Sequence, residues 1–310
     1  MQTTDHVLMV RPVGFAYNEQ TAGNNAFQQK EASADEARLT AEKAIAEFDA
    51  FVALLRENGV RVDVLQDTPE PATPDSIFPN NCFSTHVEER SGFRSLVLYP
   101  MFANNRRLER DKLMPKLLAA DEGFAAEVFD LTRWEQDGKF LEGTGSLILD
   151  RERRMAFACR SVRTHEDVIS AWAHHMGYDY FLFDSADQHG KPVYHTNVVM
   201  HIGTRFAVVC LESVSDSEQR RQLLERLQEC GKEVVPITME QMYSFAGNML
   251  ELRNSAGEKL LVMSRTALAS LTAEQIALLE QDVRIVAPEI SAIEKAGGGS
   301  ARCMLAEMFF

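Results

Sequence analysis

SADEARLTAEKAIAEFDAFVALLRENGVRVDVL, residues 33–65, contains one complete structural unit. Ser33 followed by Glu36 is the capping-box signature of a helix start. Leu39, Ala44, Ile45, Phe48, Phe51, Val52 and Leu55 then recur at helical spacing, which predicts one buried face. Asn58-Gly59 ends the helix, and Val60–Leu65 reads as the strand that returns from it. Val7–Val10 supplies a strand on the other side.

The same order recurs along the chain. Ser95–Leu98 precedes a helix through Arg107–Ala119. Leu147–Leu149 and Met155–Cys159 read as a hairpin before a helix that Thr164 can cap and that runs to Met176-Gly177. Val193–Ile202 and Arg205–Cys210 read as a second hairpin across Gly203-Thr204, followed by a helix capped at Ser215-Asp216-Ser217-Glu218. Leu260–Met263, a helix capped by Thr272-Ala273-Glu274-Gln275, and Val283–Val286 complete the series. These units number about five, with no low-complexity linker between them. They predict an α/β protein of repeated strand-helix modules in a single domain over residues 1–310, with a conventional doubly wound sheet as the competing architecture.

Bulk composition narrows the function classes. Of the 310 residues, 45% are hydrophobic and 25% charged, the balance of a globular enzyme or binding protein. The net charge of −14 argues against nucleic acid or an anionic membrane as partner, because both require a basic face. It leaves room for a cationic or zwitterionic small molecule as substrate, and homo-oligomerisation is compatible with it. No apolar run reaches membrane-spanning length, and Met1–His6 lacks the pattern of a secretory signal, so a reducing cytoplasm is the expected location. The five cysteines, Cys82, Cys159, Cys210, Cys230 and Cys303, are scattered without zinc spacing, and Cys159 and Cys210 follow apolar runs as core thiols do. Adjacent His174 and His175 point in different directions on a helix and form no metal site.

Several segments carry groups capable of chemistry. Cys303 follows Gly297-Gly298-Gly299 with Arg302 beside it; a neighbouring cation favours the reactive thiolate, although a free cysteine can equally be core filler. His195, Thr196 and Asn197 interrupt an apolar strand pattern, and polar groups beside a core cost free energy unless they are partnered or line a site. Glu142 precedes Gly143-Thr144-Gly145, which is a polar turn or a place where a ligand nears the backbone. Asp75 opens a stretch in which Asn80 and Asn81 stand between Phe78 and Phe83, and their amides offer both donors and acceptors. Arg106-Arg107 and Arg163, at predicted helix starts, could grip a carboxylate. Asn18–Gln28 is a candidate lid.

Taken together, PDSIFPNN (74–81), LEGTGS (141–146), SVRT (161–164), YHTN (194–197) and GGGSARCM (297–304) resemble the guanidine-modifying superfamily, which includes arginine deiminases, dimethylarginine dimethylaminohydrolases and amidinotransferases. The segments keep the family order across nearly the whole chain. The resemblance implies a five-bladed, pseudo-symmetric α/β propeller (pentein-like) with its site in the central channel. It implies Cys303 as nucleophile, His195 as general acid and base, and Glu142 as the group that orients histidine and substrate. It further implies Asp75 as a substrate contact, with Arg163 and Arg107 (Arg106 by a shift of one) on the substrate carboxylate. No metal or organic cofactor is implied.

Three departures bear on the substrate. Asn80 and Asn81 stand where relatives acting on guanidinium carry acidic residues, Asn197 stands for an aspartate, and the EGGD segment has become Glu142-Gly143-Thr144-Gly145. A guanidinium has only donors and calls for carboxylates, whereas a ureido group presents a carbonyl as well as N–H groups and suits carboxamides. The expectation is therefore a cysteine-dependent hydrolase that converts citrulline to ornithine, ammonia and carbon dioxide through a thio-carbamoyl intermediate, similar to the citrulline-hydrolase subgroup. The alternatives are arginine deiminase, methylarginine hydrolase or amidinotransferase chemistry on a guanidinium, or a non-catalytic propeller that binds a partner.

Overall fold

A computed structural model describes residues 1–88, 91–120 and 127–310. Strand β1 (His6–Arg11) leads through helix α1 (Ala34–Glu57) to β2 (Arg61–Gln66). Next come β3 (Phe83–Val87), β4 (Arg94–Leu98), α2 (Asn104–Ala120) and β5 (Glu127–Asp130). A one-turn helix α3 (Gly143–Ser146) enters β6 (Ile148–Asp150), followed by β7 (Met155–Cys159), α4 (Glu166–Met176) and β8 (Asp179–Phe183). A second one-turn helix α5 (Thr196–Val199) enters β9 (Met200–Ile202), followed by β10 (Phe206–Val209), α6 (Ser217–Glu229) and β11 (Glu233–Pro236). After α7 (Met239–Tyr243) come β12 (Leu250–Arg253), β13 (Lys259–Val262), α8 (Arg265–Ser270), α9 (Ala273–Leu279) and β14 (Arg284–Val286), and the chain ends with α10 (Ser291–Gly297) and β15 (Ala306–Glu307).

Among the described residues these strands form five separate three-stranded sheets, not one doubly wound sheet. In each, the middle strand is antiparallel to one neighbour and parallel to the other. The two kinds of pairing demand different connections: a short link suffices for an antiparallel neighbour, but a parallel one needs a crossover. Accordingly α1, α2, α4, α6 and the α8–α9 pair each lie between a middle strand and its parallel partner. In the first sheet the antiparallel neighbour of β1 comes from the C-terminal end, with Val7 opposite Glu307 and Leu8 opposite Ala306.

Local chemistry explains the helix boundaries, with some differences from expectation. The Ser33 side chain accepts from Glu36 N as expected, but the Glu36 carboxylate turns to Ala32 N, one residue before the cap. Phe48, Phe51, Val52 and Leu55 are buried in one cluster with Val60 and Val62, whereas Leu39 faces solvent. Each fully buried side chain of this size contributes roughly 1.5–3 kcal/mol. Helix α4 is capped by His165, whose ring accepts from Asp167 N; Thr164 instead donates to Ser146 Oγ. Thr272 and Gln275 do form a full capping box. The strand expected through His195 is helical at 196–199, so the hairpin pairs only Met200–Ile202 with Phe206–Val209. Cys159 and Cys210 are buried core thiols, and burial pushes Cys159 up to about 12. No helix among the described residues is long and apolar enough to cross a membrane.

Candidate active site

The antiparallel strand of each sheet is entered from a short turn: 79–81 before β3, α3 before β6, α5 before β9, 245–249 before β12 and 301–304 before β15. These turns bring the distant polar residues of the sequence together. Cys303 lies on the 301–304 turn and is 3% exposed. Its Sγ receives Asn197 Nδ2 at 3.3 Å and Asn248 Nδ2 at 3.3 Å. His195 and Glu142 occupy the N-cap positions of α5 and α3 and are both buried. His195 Nε2 lies 2.7 Å from Glu142 Oε2, Phe102 N donates to Glu142 Oε1 at 2.9 Å, and Arg163 Nη1 donates to Oε2 at 3.4 Å.

Electrostatics fixes the protonation pattern. Burial by itself raises the Glu142 carboxyl, but the Arg163 guanidinium and the His195 ring outweigh it and hold the carboxyl well below its usual range. Burial lowers His195 to about 4, against the opposing pull of Glu142. The resting imidazole is therefore neutral. An ionised carboxylate can only accept, so the ring proton sits on Nε2 and Nδ1 keeps its lone pair. Gly145 makes room for this arrangement. A Cβ there would lie 2.8 Å from His195 Nδ1 and would collide with Asn81 Nδ2, so both atoms rest against the bare glycine Cα.

A second layer fixes the asparagines. Asn81 Oδ1 accepts from Arg106 Nη1 at 2.7 Å. Arg106 is buried, forks onto Glu109 at 2.9 and 3.1 Å, and lies 3.9 Å from Asp75. Burial raises Glu109 to about 7 in spite of Arg106, and burial raises Asp75 likewise. Five buried polar atoms here have no hydrogen-bond partner among the described residues: both amide atoms of Asn80, Asn81 Nδ2, Asn197 Oδ1 and Asp75 Oδ1.

Arg107, expected in the site, does not join it. Its guanidinium donates to the Met101 and Phe102 carbonyls, approaches Glu135 at 3.6 Å and stacks on Phe140. One residue along a helix rotates a side chain by about 100°, and that rotation gives the inward position to Arg106. Arg163 is in place but engaged. Besides Glu142 it bonds Asn24 Oδ1 through Nε (2.8 Å) and Nη2, donates to Thr21 O at 3.3 Å, and lies over the Tyr194 ring. The 18–28 segment thus covers the site. Asn18 donates to Asp75 at 2.8 Å, Asn25 contacts the Gly297 and Gly298 carbonyls, and Phe27 packs on Tyr194, Tyr243 and Phe245. A cavity of about 280 Å³ lies between this segment and Tyr194. Arg302, expected to act on the thiol, is tied instead to Glu307 at 2.6 Å and Leu305 O at 2.7 Å. Among the described residues no cluster of three or more His, Cys, Asp or Glu side chains could hold a metal ion.

Sequence comparison matches residues 11–310 to the family described as "N,N dimethylarginine dimethylhydrolase, eukaryotic". The chain belongs to this family. It is accordingly a member of the guanidine-modifying superfamily and a hydrolase of carbon–nitrogen bonds other than peptide bonds. No curated protein matches it. Among solved structures, this guanidine-modifying family member is similar to the N-terminal domain of ArgZ, an arginine dihydrolase from the ornithine–ammonia cycle in cyanobacteria (TM-score 0.73, 17% identity, 98% of this chain and 97% of that one). It is also similar to dimethylarginine dimethylaminohydrolase from Pseudomonas aeruginosa (0.66, 15%, 99% and 100%). AgrE, seen with ornithine and NAD+, matches over 98% of this chain but 39% of its own (0.73, 19%). The five small sheets agree with the fold of these proteins.

Three groups of the site lay outside the sequence reading. Glu109 looks like an ordinary helix carboxylate until Arg106 is turned inward. Asn24 is one polar residue in a polar loop. Asn248 had a legible signal: Asn81-Cys82-Phe83, Asn197-Val198-Val199, Asn248-Met249-Leu250 and Cys303-Met304-Leu305 each place a polar residue before two apolar ones.

Proposed function

We propose that this protein hydrolyses the ureido group of citrulline, giving ornithine, ammonia and carbon dioxide. The observation that carries the reading is the orientation of Asn81. Arg106 can only donate, so the Asn81 atom facing it is oxygen, and the free atom beside His195 is an N–H donor. A guanidinium has no acceptor for that donor; a ureido carbonyl does. The unpartnered oxygens of Asn80, Asn197 and Asp75 suit the ureido N–H groups. A site built to hydrogen-bond a particular group rejects an analogue lacking it by about 10⁴-fold or more, because its own polar atoms stay unpaired.

In this mechanism Cys303 passes its proton to His195 Nδ1, so the imidazolium is formed during the reaction and is not present at rest. The thiolate attacks the ureido carbon, and carboxamide N–H groups stabilise the oxyanion that develops. His195 then protonates the departing nitrogen as the C–N bond breaks. If ornithine leaves first, an S-carbamoyl enzyme remains; His195 deprotonates water, which displaces the sulfur, and the released carbamate decays to ammonia and carbon dioxide. Glu142 holds the ring and stabilises its charged form. Arg163 takes the substrate α-carboxylate by exchanging Asn24 and Thr21 for it, and Asp75 takes the α-amino end or a ureido N–H. The reading includes a single domain over residues 1–310, with the five sheets as blades of a propeller around the site. It also includes a cytoplasmic location, supported by the free state of all five cysteines.

A second reading, hydrolysis of a guanidinium substrate, is favoured by the family match and by the buried Asp75 carboxylate with its open Oδ1. Separate incubations with citrulline and with arginine, assayed for ornithine, citrulline and ammonia, decide between them. Ornithine from citrulline alone supports the first reading, and turnover of arginine alone refutes it. Loss of all turnover in Cys303→Ala is expected in either case.

A further inference from the structure

Among the described residues Asn248 is, with Asn197, a side chain hydrogen-bonded to the reactive sulfur, and its position in the fold is informative. In four of the five sheets, the turn entering the antiparallel strand presents site residues: Asn80 and Asn81 before β3, Glu142 before β6, His195 and Asn197 before β9, and Cys303 before β15. The fifth turn, before β12, presents Asn248. Its backbone is shaped for close approach. Phe245 has φ 61°, a left-handed conformation uncommon outside glycine. A Cβ on Gly247 would collide with the Val198 carbonyl oxygen, so a glycine is needed for the turn to lie against α5.

The Asn248 amide has one permitted orientation. Arg302 N–H donates to its Oδ1 at 3.0 Å, which leaves Nδ2 to donate to Asn197 O at 2.9 Å and to approach Cys303 Sγ at 3.3 Å, while the protonated thiol can itself donate to Oδ1 at 3.7 Å. Asn197 Nδ2 stands at the same 3.3 Å from the sulfur. We propose that Asn248, together with Asn197, is a catalytic contact of the nucleophile, its carboxamide N–H stabilising the Cys303 thiolate by hydrogen bonding. The proposal rests on Cys303 being the nucleophile, and it holds for either substrate class.

The charged and titratable groups of the site described above are committed elsewhere. The Tyr194 hydroxyl donates to Gly298 O at 2.5 Å, Arg302 is paired with Glu307, and Arg163 is paired with Glu142 and Asn24. His195 is neutral at rest, Glu142 is bonded to it, and Asp75 is bonded to Asn18. Two carboxamide donors therefore perform the task often given to a resting imidazolium.

The test is the pH dependence of Cys303 alkylation by iodoacetamide in the ligand-free, full-length protein, read by mass spectrometry of the peptide that carries it. Asn248→Asp keeps an acceptor for Arg302 N–H and exchanges the donor for an anion. Asn248→Ala removes the donor. Asn248→Ser, which keeps a short oxygen for Arg302 N–H, replaces the alanine variant if that one fails to fold by circular dichroism. The alkylation midpoint should rise by about one unit in Asn248→Ala, a roughly tenfold lower thiolate fraction at fixed pH, and further in Asn248→Asp. Folded variants with the wild-type midpoint overturn the proposal, as do variants alkylated faster at every pH with no change of midpoint, which would confine Asn248 to holding the turn. If wild-type Cys303 reacts no faster than Cys230, the nucleophile reading itself fails. A fast wild-type Cys303 with unmoved variants fails the Asn248 proposal alone.

Discussion

Replacing Asn81 by aspartate changes one atom and tests the substrate reading. The Oδ1 bonded to Arg106 at 2.7 Å remains an acceptor, and the free N–H beside His195 becomes a second carboxylate oxygen. In the citrulline complex two acceptors then face each other, the ureido oxygen and the new carboxylate oxygen. Each buried unsatisfied group costs about 1–3 kcal/mol, so the pair together costs about 2–6 kcal/mol, roughly 1.5 to 4 orders of magnitude in kcat/KM. Arginine gains an anion for its guanidinium. The gain is limited because Arg106 already serves Glu109 and lies near Asp75, so the added charge raises the local excess of carboxylates. Initial rates of ornithine and citrulline formation from each substrate give the preference directly, with thermal melting as the control for folding. The preference for citrulline over arginine should fall at least about 30-fold. An unchanged preference in a folded Asn81→Asp protein would refute the argument from carboxamide orientation.

Other perturbations separate the remaining parts of the site. Gly145→Ala places a methyl group against Asn81 Nδ2 and 2.8 Å from His195 Nδ1, so turnover should fall by at least about 100-fold, with near-normal melting if the surrounding turns give slightly. Arg106→Ala leaves Glu109 buried without its partner and should abolish activity and lower stability by about 3–5 kcal/mol in urea unfolding, whereas half-buried Arg107→Ala should keep kcat/KM within about threefold. His201 is buried, and burial together with Arg302 lowers it to about 3. Between that value and 6.5 the unfolded chain binds the extra proton, so this histidine costs stability as pH falls below 6.5. The drop in unfolding free energy from pH 7 to pH 5 should be smaller by roughly 2 kcal/mol in His201→Gln than in wild type.

Most of the architecture was legible because its elements announce themselves locally. Ser33, Thr272 and the Phe48–Leu55 stripe mark helices by caps and periodicity, and Met155–Cys159 or Phe206–Val209 mark fully buried strands by continuous apolar runs. Strands without a clear sequence signal include ones mixed in polarity or half exposed: β3 carries Ser84, Thr85 and His86 inside the protein, and β5 and β11 are half exposed. A polar side chain buried by a partner elsewhere, as Ser84 is by Tyr99 and His86, leaves no periodic trace. The sequence around His195 reads as strand because one helical turn, 196–199, is too short to show helical spacing. The same limit applies to Arg106 and Arg107. Adjacent arginines are equivalent in a string of letters, and only the rotation of α2 against Asn81 and Phe78 selects one of them. Arg302 adjoins Cys303 in sequence and so suggests an activating cation, but its side chain turns to Glu307, and that direction is invisible in the sequence.

In the proposed function a fixed carboxamide donor selects a carbonyl-bearing head group. Calorimetric titration of Cys303→Ala with citrulline and with arginine tests this with the chemistry removed. Citrulline should bind at least about 30-fold tighter, a difference of roughly 2 kcal/mol. Equal affinities, or tighter binding of arginine, would contradict it.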